Sequence, residues 1–195
     1  GEGALYVLCH IAEAVVRVGL DGALLAVIGT DEDGRPFATP NAMTNDGQGG
    51  VYFSSAGRFA PRAESTGAVM HLDADGRLRR LAEGIHYANG GALDQAGSRL
   101  FVSEHLGRRV MVFDVTADGA LSRRRVFVEL DDLVGADPDR GWEVGPDGLA
   151  FDRDGNLYIA EYGAGRLLIV GPHGRLRGTV TVPNAYITSV ALSPD

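Results

Sequence analysis

One repeated unit of sequence constrains the fold of this chain more than any other feature. Its clearest copy, residues 146–160, consists of an acidic residue and a glycine, a short apolar run, an Asp-Gly turn and a second apolar run. Similar copies begin at Asn41 and Asn89. Each copy thus places a polar side chain, Asn41, Asn89 or Asp147, just before a strand-like apolar run. We expect the function to lie at this repeat position.

The rest of the chain alternates short apolar runs with polar turns. Asp-Gly supplies the positive φ values that tight hairpin turns need, and it recurs at positions 21–22, 75–76 and 118–119. No segment of useful length has a 3.6-residue apolar period, so the predicted class is all-β. The apolar runs predict strands over residues 3–8, 14–18, 23–28, 51–55, 67–72, 78–81, 100–103, 109–113, 121–128, 157–159, 166–170 and 176–182.

The spacing of the copies predicts how the strands are grouped. The polar residues that start the copies lie 48 and then 58 residues apart, and a further copy begins 41 residues after Asp147, at Thr188. Four short strands in roughly 40 to 50 residues are typical of a β-propeller blade. Rotation about one axis relates matching positions of successive blades. We therefore expect Asn41, Asn89 and Asp147 to face one another across a central channel.

Composition limits the class of protein and its partners. A chain of 195 residues with 45% hydrophobic residues and 28 glycines predicts one globular domain over residues 1–195. The net charge of −8 disfavours a nucleic-acid partner, and no apolar run reaches the roughly 18 residues of a membrane span. The single cysteine, Cys9, excludes an intrachain disulfide. We expect a cytoplasmic protein; its oligomeric state is left open.

The three polar side chains at the repeat position form an oxygen-only set. Two amides and one carboxylate suit Ca²⁺, Mg²⁺ or Mn²⁺, and are less natural for Zn²⁺. The alternative for each residue taken alone is a cap or a turn, which Asn and Asp often form. Three such residues in register favour a binding site.

Four dipeptides near these positions are weaker candidates. His86-Tyr87 precedes the Asn89 copy and either lines the channel mouth or packs as a loop pair. Glu104-His105 and Glu161-Tyr162 follow equivalent strands, which favours a structural or rim role. Trp142-Glu143 lies in a long polar segment, where it is placed to cover the site. No Gly-x-Ser-x-Gly or Cys-x-x-Cys motif supports a Ser or Cys nucleophile.

The motifs together resemble those of the senescence marker protein and gluconolactonase family, regucalcin-like six-bladed propellers that hydrolyse sugar lactones and related esters. The resemblance rests on Pro40-Asn41-Ala42, on Asn89-Gly90-Gly91-Ala92 and on Gly-Pro-Asp-Gly-Leu-Ala at residues 145–150. It implies metal-ligand roles for Asn89 and Asp147. It also implies a place for Asn41 beside the metal and the substrate. Thr39 stands where some members place a substrate-binding Arg, so we expect it to contact substrate.

The chain departs from the family pattern at two places. Ala42 replaces a carboxylate of the family's Pro-Asn-Asp motif. Glu2-Gly3 is similar to a Glu-Gly-Pro motif that carries the first metal ligand, but Leu5-Tyr6 follows too soon. The spacing to Asn41 makes residues 3–18 look like the second blade. We therefore expect a six-bladed propeller of which this chain covers roughly four blades, lacking the first blade and the closing end.

The resemblance implies metal-dependent hydrolysis of a small-molecule lactone at the central channel. In that chemistry the cation polarises the lactone carbonyl and helps to generate hydroxide from water. Asp147 anchors the metal and takes the water proton, and Asn41 orients the substrate. Ca²⁺ is the expected cation, with Mg²⁺, Mn²⁺ and Zn²⁺ as alternatives. The alternative function is a non-catalytic propeller that binds a small molecule or a protein partner, which Ala42 favours.

Overall fold

A computed structural model describes residues 3–193, so Glu2 lies outside the described residues. Within this range the chain forms strands joined by short turns, together with one five-residue helix, α1 (Leu130–Val134). The strands are β1 (Ala4–Cys9), β2 (Ala14–Gly19), β3 (Leu24–Ile28), β4 (Pro40–Asn45), β5 (Val51–Ser55), β6 (Gly67–Leu72), β7 (Leu78–Ile85), β8 (Ala88–Leu93), β9 (Arg99–Glu104), β10 (Arg109–Val115), β11 (Leu121–Glu129), β12 (Gly145–Phe151), β13 (Leu157–Tyr162), β14 (Arg166–Val170) and β15 (Leu176–Thr181).

Within residues 3–193, consecutive strands pair antiparallel into four separate sheets. The orders are β1-β2-β3, β4-β5-β6-β7, β8-β9-β10-β11 and β12-β13-β14-β15. Gly22, Gly76 and Gly119 have φ values of 85°, 88° and 75°, as the Asp-Gly hairpin turns require. The all-β prediction is confirmed. Helix α1 was not predicted, because one turn is too short to show a helical period. No helix in residues 3–193 is long and apolar enough to cross a membrane.

The first sheet has three strands, whereas four were expected in every blade. The polar loop after β3 is held by Asp31 and adds no strand to the sheet. The Asp31 carboxylate accepts hydrogen bonds from the backbone N–H groups of Asp33 and Arg35, at 3.2 and 2.9 Å. It also pairs with Arg80 at 3.0 Å in the second sheet. These bonds fix the loop as a connection between two sheets.

The expected further copy at Thr188 forms no strand in residues 188–193. The carbonyl oxygen of Thr188 does accept a hydrogen bond from the backbone N–H of Gly148, at 3.1 Å. This segment therefore lies beside β12. No strand within residues 3–193 pairs with this segment, and the further copy expected from Thr188 stays a prediction.

The sheets pack face to face in chain order. Phe37 and Phe53 belong to a cluster between the first two sheets, and their rings make an edge contact at 5.3 Å. A second cluster joins the second and third sheets, and a third, which contains Phe101 and Leu168, joins the third and fourth. Burying a side chain of this size stabilises the fold by about 1.5 to 3 kcal/mol. The same packing brings β1, β4, β8 and β12 into contact in series, so the first strand of each sheet lies next to the first strand of the following sheet.

Candidate metal and substrate site

The three polar residues of the repeat lie inside the first strands of their sheets, not just before them as predicted. Each of these strands, β4, β8 and β12, has an irregularity in its pairing at the same repeat position. The shifts fall between Pro40 and Met43, between Ala88 and Gly91, and between Pro146 and Leu149. A bulge bends a strand and redirects a side chain, and bulges are common beside active sites. Asn41, Asn89 and Asp147 occupy these bulges.

Two glycines allow the backbone beside Asn89 and Asp147 to approach other segments closely. A Cβ atom on Gly90 would overlap the carbonyl oxygen of Asp147 and lie 2.8 Å from the Cα of Gly148. A Cβ atom on Gly148 would lie 2.7 Å from the Cα of Ser189. The Ser103 hydroxyl donates a hydrogen bond to the Asp147 carbonyl oxygen at 2.7 Å. Glycine next to the polar residue is therefore what lets these backbones touch.

A cavity of about 570 Å³ opens where these strands converge. It brings Asn41, Asn89 and Asp147 together, as the repeat predicts. Its lining is formed by Asn41, Ala42, Met43, Phe59, Tyr87, Asn89, His105, Asp147, Gly148, Tyr162, Thr188 and Ser189.

Thr39 is not among the residues that line the cavity. Its hydroxyl donates to the carbonyl oxygen of Gly57 and accepts from the N–H of the same residue, both at 3.1 Å. Its φ of 46° lies in the left-handed region. In this arrangement the side chain closes a loop, and a contact between Thr39 and substrate stays a prediction.

Asp147 is a buried carboxylic acid, 9% exposed. Burial raises the pKa of Asp147 to about 7, although a hydrogen bond with the Asn89 side chain acts to lower it. Removing a carboxylate from water without a cationic partner costs free energy, so the proton is retained to higher pH. A carboxyl group with such a pKa in a cavity is a candidate for binding a cation or transferring a proton.

Asn89 is more deeply buried, at 3% exposure. Its Nδ2 lies 3.4 Å from Nδ1 of His105. Its Oδ1 is buried and has no hydrogen-bond partner within residues 3–193. Leaving a buried carbonyl oxygen unpaired costs about 1 to 3 kcal/mol. An oxygen-seeking cation would remove this cost, so Asn89 fits the ligand role that the sequence predicts.

Asn41 lies near a tyrosine in a strained conformation. Nδ2 of Asn41 donates to the Tyr87 hydroxyl at 3.5 Å. Tyr87 has a φ of 61°, which is unusual for a residue other than glycine and is often found at functional sites. Burial raises the pKa of Tyr87, and the charge of Asp147 raises it further. The phenol therefore keeps its proton and is able to donate a hydrogen bond in the cavity.

An aromatic wall, formed by Phe59, Tyr87, Trp142 and Tyr162 around His105, flanks the polar groups. Phe59 contacts Tyr87 and Trp142 with ring centroids 4.7 and 5.0 Å apart. Sequence reasoning missed Phe59, because it lies in an irregular loop without periodic signal. Trp142 contacts Phe59 but is not among the residues that line the cavity, so a covering role for Trp142 stays a prediction.

The two residues of the dipeptide Glu104-His105 have different roles. Glu104 pairs with Arg109 at 2.6 Å and accepts from the backbone N–H of His86 at 2.8 Å, which is structural. His105 lines the cavity, although the sequence favoured a structural or rim role. Burial lowers the pKa of His105, whereas the backbone carbonyls of Glu143 and Pro146 act to raise it. Because burial has the larger effect, the ring is neutral near pH 7.

Carboxylate, thiolate and imidazole groups alone do not make a metal centre here. Within the part of the chain that the structure describes, no three His, Cys, Asp or Glu side chains are grouped to hold an ion. A cation at this site would depend on Asp147 together with the amide oxygens of Asn89 and Asn41. Such hard oxygen ligands fit Ca²⁺, Mg²⁺ or Mn²⁺.

Fold and cavity together define an all-β protein of stacked antiparallel sheets, with an oxygen-donor cavity where the first strands of three sheets meet. The family model for the SMP-30/Gluconolactonase/LRE-like region matches residues 2–195. The chain therefore belongs to this family, which confirms the resemblance drawn from its motifs.

Individual relatives agree with the family assignment. The chain is 32% identical to the L-arabinolactonase of Azospirillum brasilense over 151 residues, which are 77% of this chain and 47% of the relative. A gluconolactonase structure from Xanthomonas campestris has a TM-score of 0.73 and 25% identity, covering 95% of this chain and 61% of that one. A regucalcin from Agrobacterium tumefaciens, described as a calcium-binding protein, has a TM-score of 0.73 at 18% identity and covers 97% and 60%. The chain spans about half the length of the curated relatives it matches.

Proposed function

We propose that this protein hydrolyses a lactone in the axial cavity, with a divalent cation held by Asn89 and Asp147 and with Asn41 beside it. The proposal rests mainly on two buried oxygen-bearing side chains, Asn89 and Asp147, that line the same cavity. Asn89 Oδ1 has no partner within residues 3–193, and burial raises the pKa of the Asp147 carboxyl to about 7. The relatives named L-arabinolactonase and gluconolactonase support lactones as the substrate class.

The side chains divide the chemistry among them. A bound cation would supply Lewis-acid polarisation of the carbonyl and would make water more acidic. Asp147 holds the site's negative charge and accepts the proton of the attacking water. Asn41 and the Tyr87 phenol, 3.5 Å apart, bind and orient the lactone oxygens.

Ca²⁺ is the cation we propose, with Mg²⁺, Mn²⁺ and Zn²⁺ as alternatives to be tested. Amide and carboxylate oxygens with room for several waters suit its large, flexible coordination shell. The regucalcin with the same fold is described as calcium-binding, which supports this choice.

The lining of the cavity favours a neutral lactone over an anionic one. No arginine is among its described lining residues, and Asp147 is the acidic residue there. An anionic substituent held away from the cation would find no positively charged side chain among these residues. Phe59, Tyr87 and Tyr162 offer ring faces against which one side of a sugar-type lactone ring packs.

The six-bladed ring predicted from the sequence is part of the same proposal. Three four-stranded sheets and one three-stranded sheet amount to about four blades. The chain covers 61% of the length of the Xanthomonas campestris gluconolactonase structure. This share agrees with roughly four blades of six.

A titrimetric hydrolysis assay with a panel of lactones tests the proposal. Neutral aldonolactones should be hydrolysed above the spontaneous rate in the presence of Ca²⁺, and lactones that carry a carboxylate or sulfonate should be poor substrates. Asp147→Asn should lose the activity, while Asp154→Asn, the same charge change in the exposed turn after β12, should keep it. Failure to hydrolyse any lactone with any of the four cations would reject the enzymatic proposal.

The second candidate is a non-catalytic propeller that binds a small molecule or a protein partner. Ala42 in place of the family's carboxylate favours it, as does the absence of a three-residue acidic or imidazole cluster within residues 3–193. Saturable binding of a lactone or sugar acid without turnover would distinguish this candidate from the enzyme.

A further inference from the structure

We infer that His105 is a positioning residue that holds the Asn89 amide so that its oxygen, rather than its nitrogen, is left for the cation. The inference deepens the proposed function and rests on its cation site, but not on lactone hydrolysis. An asparagine amide has two ends of nearly equal shape. A ligand asparagine therefore needs neighbours that fix which end faces the metal.

The bond to Glu143 sets which ring nitrogen of His105 carries the hydrogen. Nε2 lies 2.8 Å from the carbonyl oxygen of Glu143, and a carbonyl only accepts. Nε2 is therefore the protonated nitrogen. In a neutral imidazole, Nδ1 then presents a lone pair and acts as an acceptor.

The neighbour that contacts the Asn89 amide selects its nitrogen end. Nδ2 lies 3.4 Å from the His105 Nδ1 lone pair. Turning the amide by 180° would place its oxygen against this acceptor. At 3.4 Å the histidine bond is long, so its main effect is to disfavour the reversed amide. Oδ1 is left buried and without a partner within residues 3–193.

The histidine ring is itself held in place from several sides. His105 is 2% exposed. It contacts the rings of Phe59, Tyr87 and Tyr162, with centroids 5.4, 5.8 and 5.6 Å away. Partners that orient a metal ligand in this way are typically worth 10- to 100-fold in metal affinity. The structure thus links the Glu143 loop through His105 to the ligand oxygen of Asn89.

Cation affinity, measured by calorimetric titration of chelator-treated protein, tests the inference without any activity assay. His105→Phe keeps a ring of similar packing but loses both hydrogen-bonding nitrogens, and it should bind the cation about 10- to 100-fold more weakly. The matched control is His71→Phe. His71 is also buried and stacked on a ring, that of Tyr52 at 4.4 Å, but it pairs with Asp46 at 2.9 Å, away from the cavity. Equal affinity of wild type and His105→Phe would overturn the inference.

A second substitution separates orientation from other effects of His105. In an Asn89→Asp background the ligand has two equivalent oxygens and needs no neighbour to choose between them. His105→Phe should then change the affinity by no more than about twofold, the usual error of additivity. A full 10- to 100-fold loss in that background would show that His105 does not act through the Asn89 amide.

Histidine tautomers, read from long-range ¹H–¹⁵N correlations on the wild-type protein, test the same point without a variant. The expected result is the Nε2–H tautomer for His105. The Nδ1–H tautomer would overturn the inference, because Nδ1 would then donate and favour the reversed amide. Failure of the wild type to bind any cation rejects the proposed site and this inference together, whereas binding without lactone hydrolysis rejects only the hydrolysis.

Discussion

Asp147 carries two tasks in the proposed chemistry, and this makes its removal more costly than removal of Asn41. Asp147→Asn weakens the cation site and deletes the proton acceptor; general-base catalysis alone is worth about 10² to 10⁴ in rate. Asn41→Ala removes one neutral hydrogen bond, nearer to 0.5 to 1.5 kcal/mol or about a tenfold loss. The comparison is made as kcat for a lactone at saturating cation, so that weakened affinity is separated from lost chemistry.

The Asp147→Asn variant also shows whether Asp147 is the general base. Wild-type kcat for Asp147→Asn at saturating cation would reduce Asp147 to an affinity ligand. The base would then have to be a different residue. Asp154→Asn again serves as the control for a lost negative charge.

The raised pKa of Asp147 also couples the stability of the cation-free protein to pH. The folded-state pKa of about 7 is above the ordinary value of 3.8, so between these values the folded state binds more protons than the unfolded state. The contribution is fully present below about pH 4 and is lost as pH rises through 7. At about 1.4 kcal/mol per pKa unit, the loss between pH 5 and pH 8 is on the order of 2 to 3 kcal/mol.

Urea unfolding in the presence of a chelator measures this effect. The free energy of unfolding of the wild type should decrease between pH 5 and pH 8 relative to that of Asp147→Asn, which has no group to titrate at this position. A difference between the two proteins that stays constant across this range would show that Asp147 is not the titrating group.

At the level of the strands, close approach of bulged backbones builds the site, and Gly90 is the most sensitive point. Gly90→Ala would drive a methyl group into the Asp147 carbonyl oxygen, so β8 and β12 would have to separate. Overpacking of this kind costs about 1 to 3 kcal/mol. The neighbouring Gly91→Ala is the matched control, because its Cβ would lie 3.8 Å from the nearest atom, the Phe101 carbonyl oxygen.

Thermal unfolding and cation titration of both variants check this prediction. Gly90→Ala should unfold at a lower temperature and lose cation affinity, whereas Gly91→Ala should resemble the wild type. Equal behaviour of the two variants would mean that the approach of β8 to β12 does not hold the site together.

The sequence predicted the strands and the register of the site because both follow from local signals. Asp-Gly turns and apolar runs mark the hairpins, and one repeat position brings Asn41, Asn89 and Asp147 to one cavity. The bulges were not predictable, because they lie near the starts of short strands, where too few residues precede them to show a break in the alternation of polar and apolar residues. Phe59 and the inward placement of His105 depend on packing between loops far apart in sequence, which no local pattern encodes.

At the scale of the whole molecule, the site exists only when three sheets are stacked. Asn41 and Asp147 lie 106 residues apart, and the first strands of their sheets meet through β8. Each sheet packs mainly on its neighbours in the chain, so stability is close to a sum of interfaces, as in other repeat architectures. A cation that ties Asn89 to Asp147 would add a direct link between two of these sheets and stabilise the folded state in proportion to its occupancy.

Cation-dependent lactone hydrolysis is tested most directly by the rate of hydrolysis in chelator-treated protein as Ca²⁺ is added back, with bound Ca²⁺ measured in the same samples. We expect no hydrolysis above the spontaneous rate before addition, and a rate that then rises in proportion to bound Ca²⁺. Hydrolysis that is unaffected by chelation, or full occupancy by Ca²⁺ without any hydrolysis, would contradict the proposed cation-dependent lactonase.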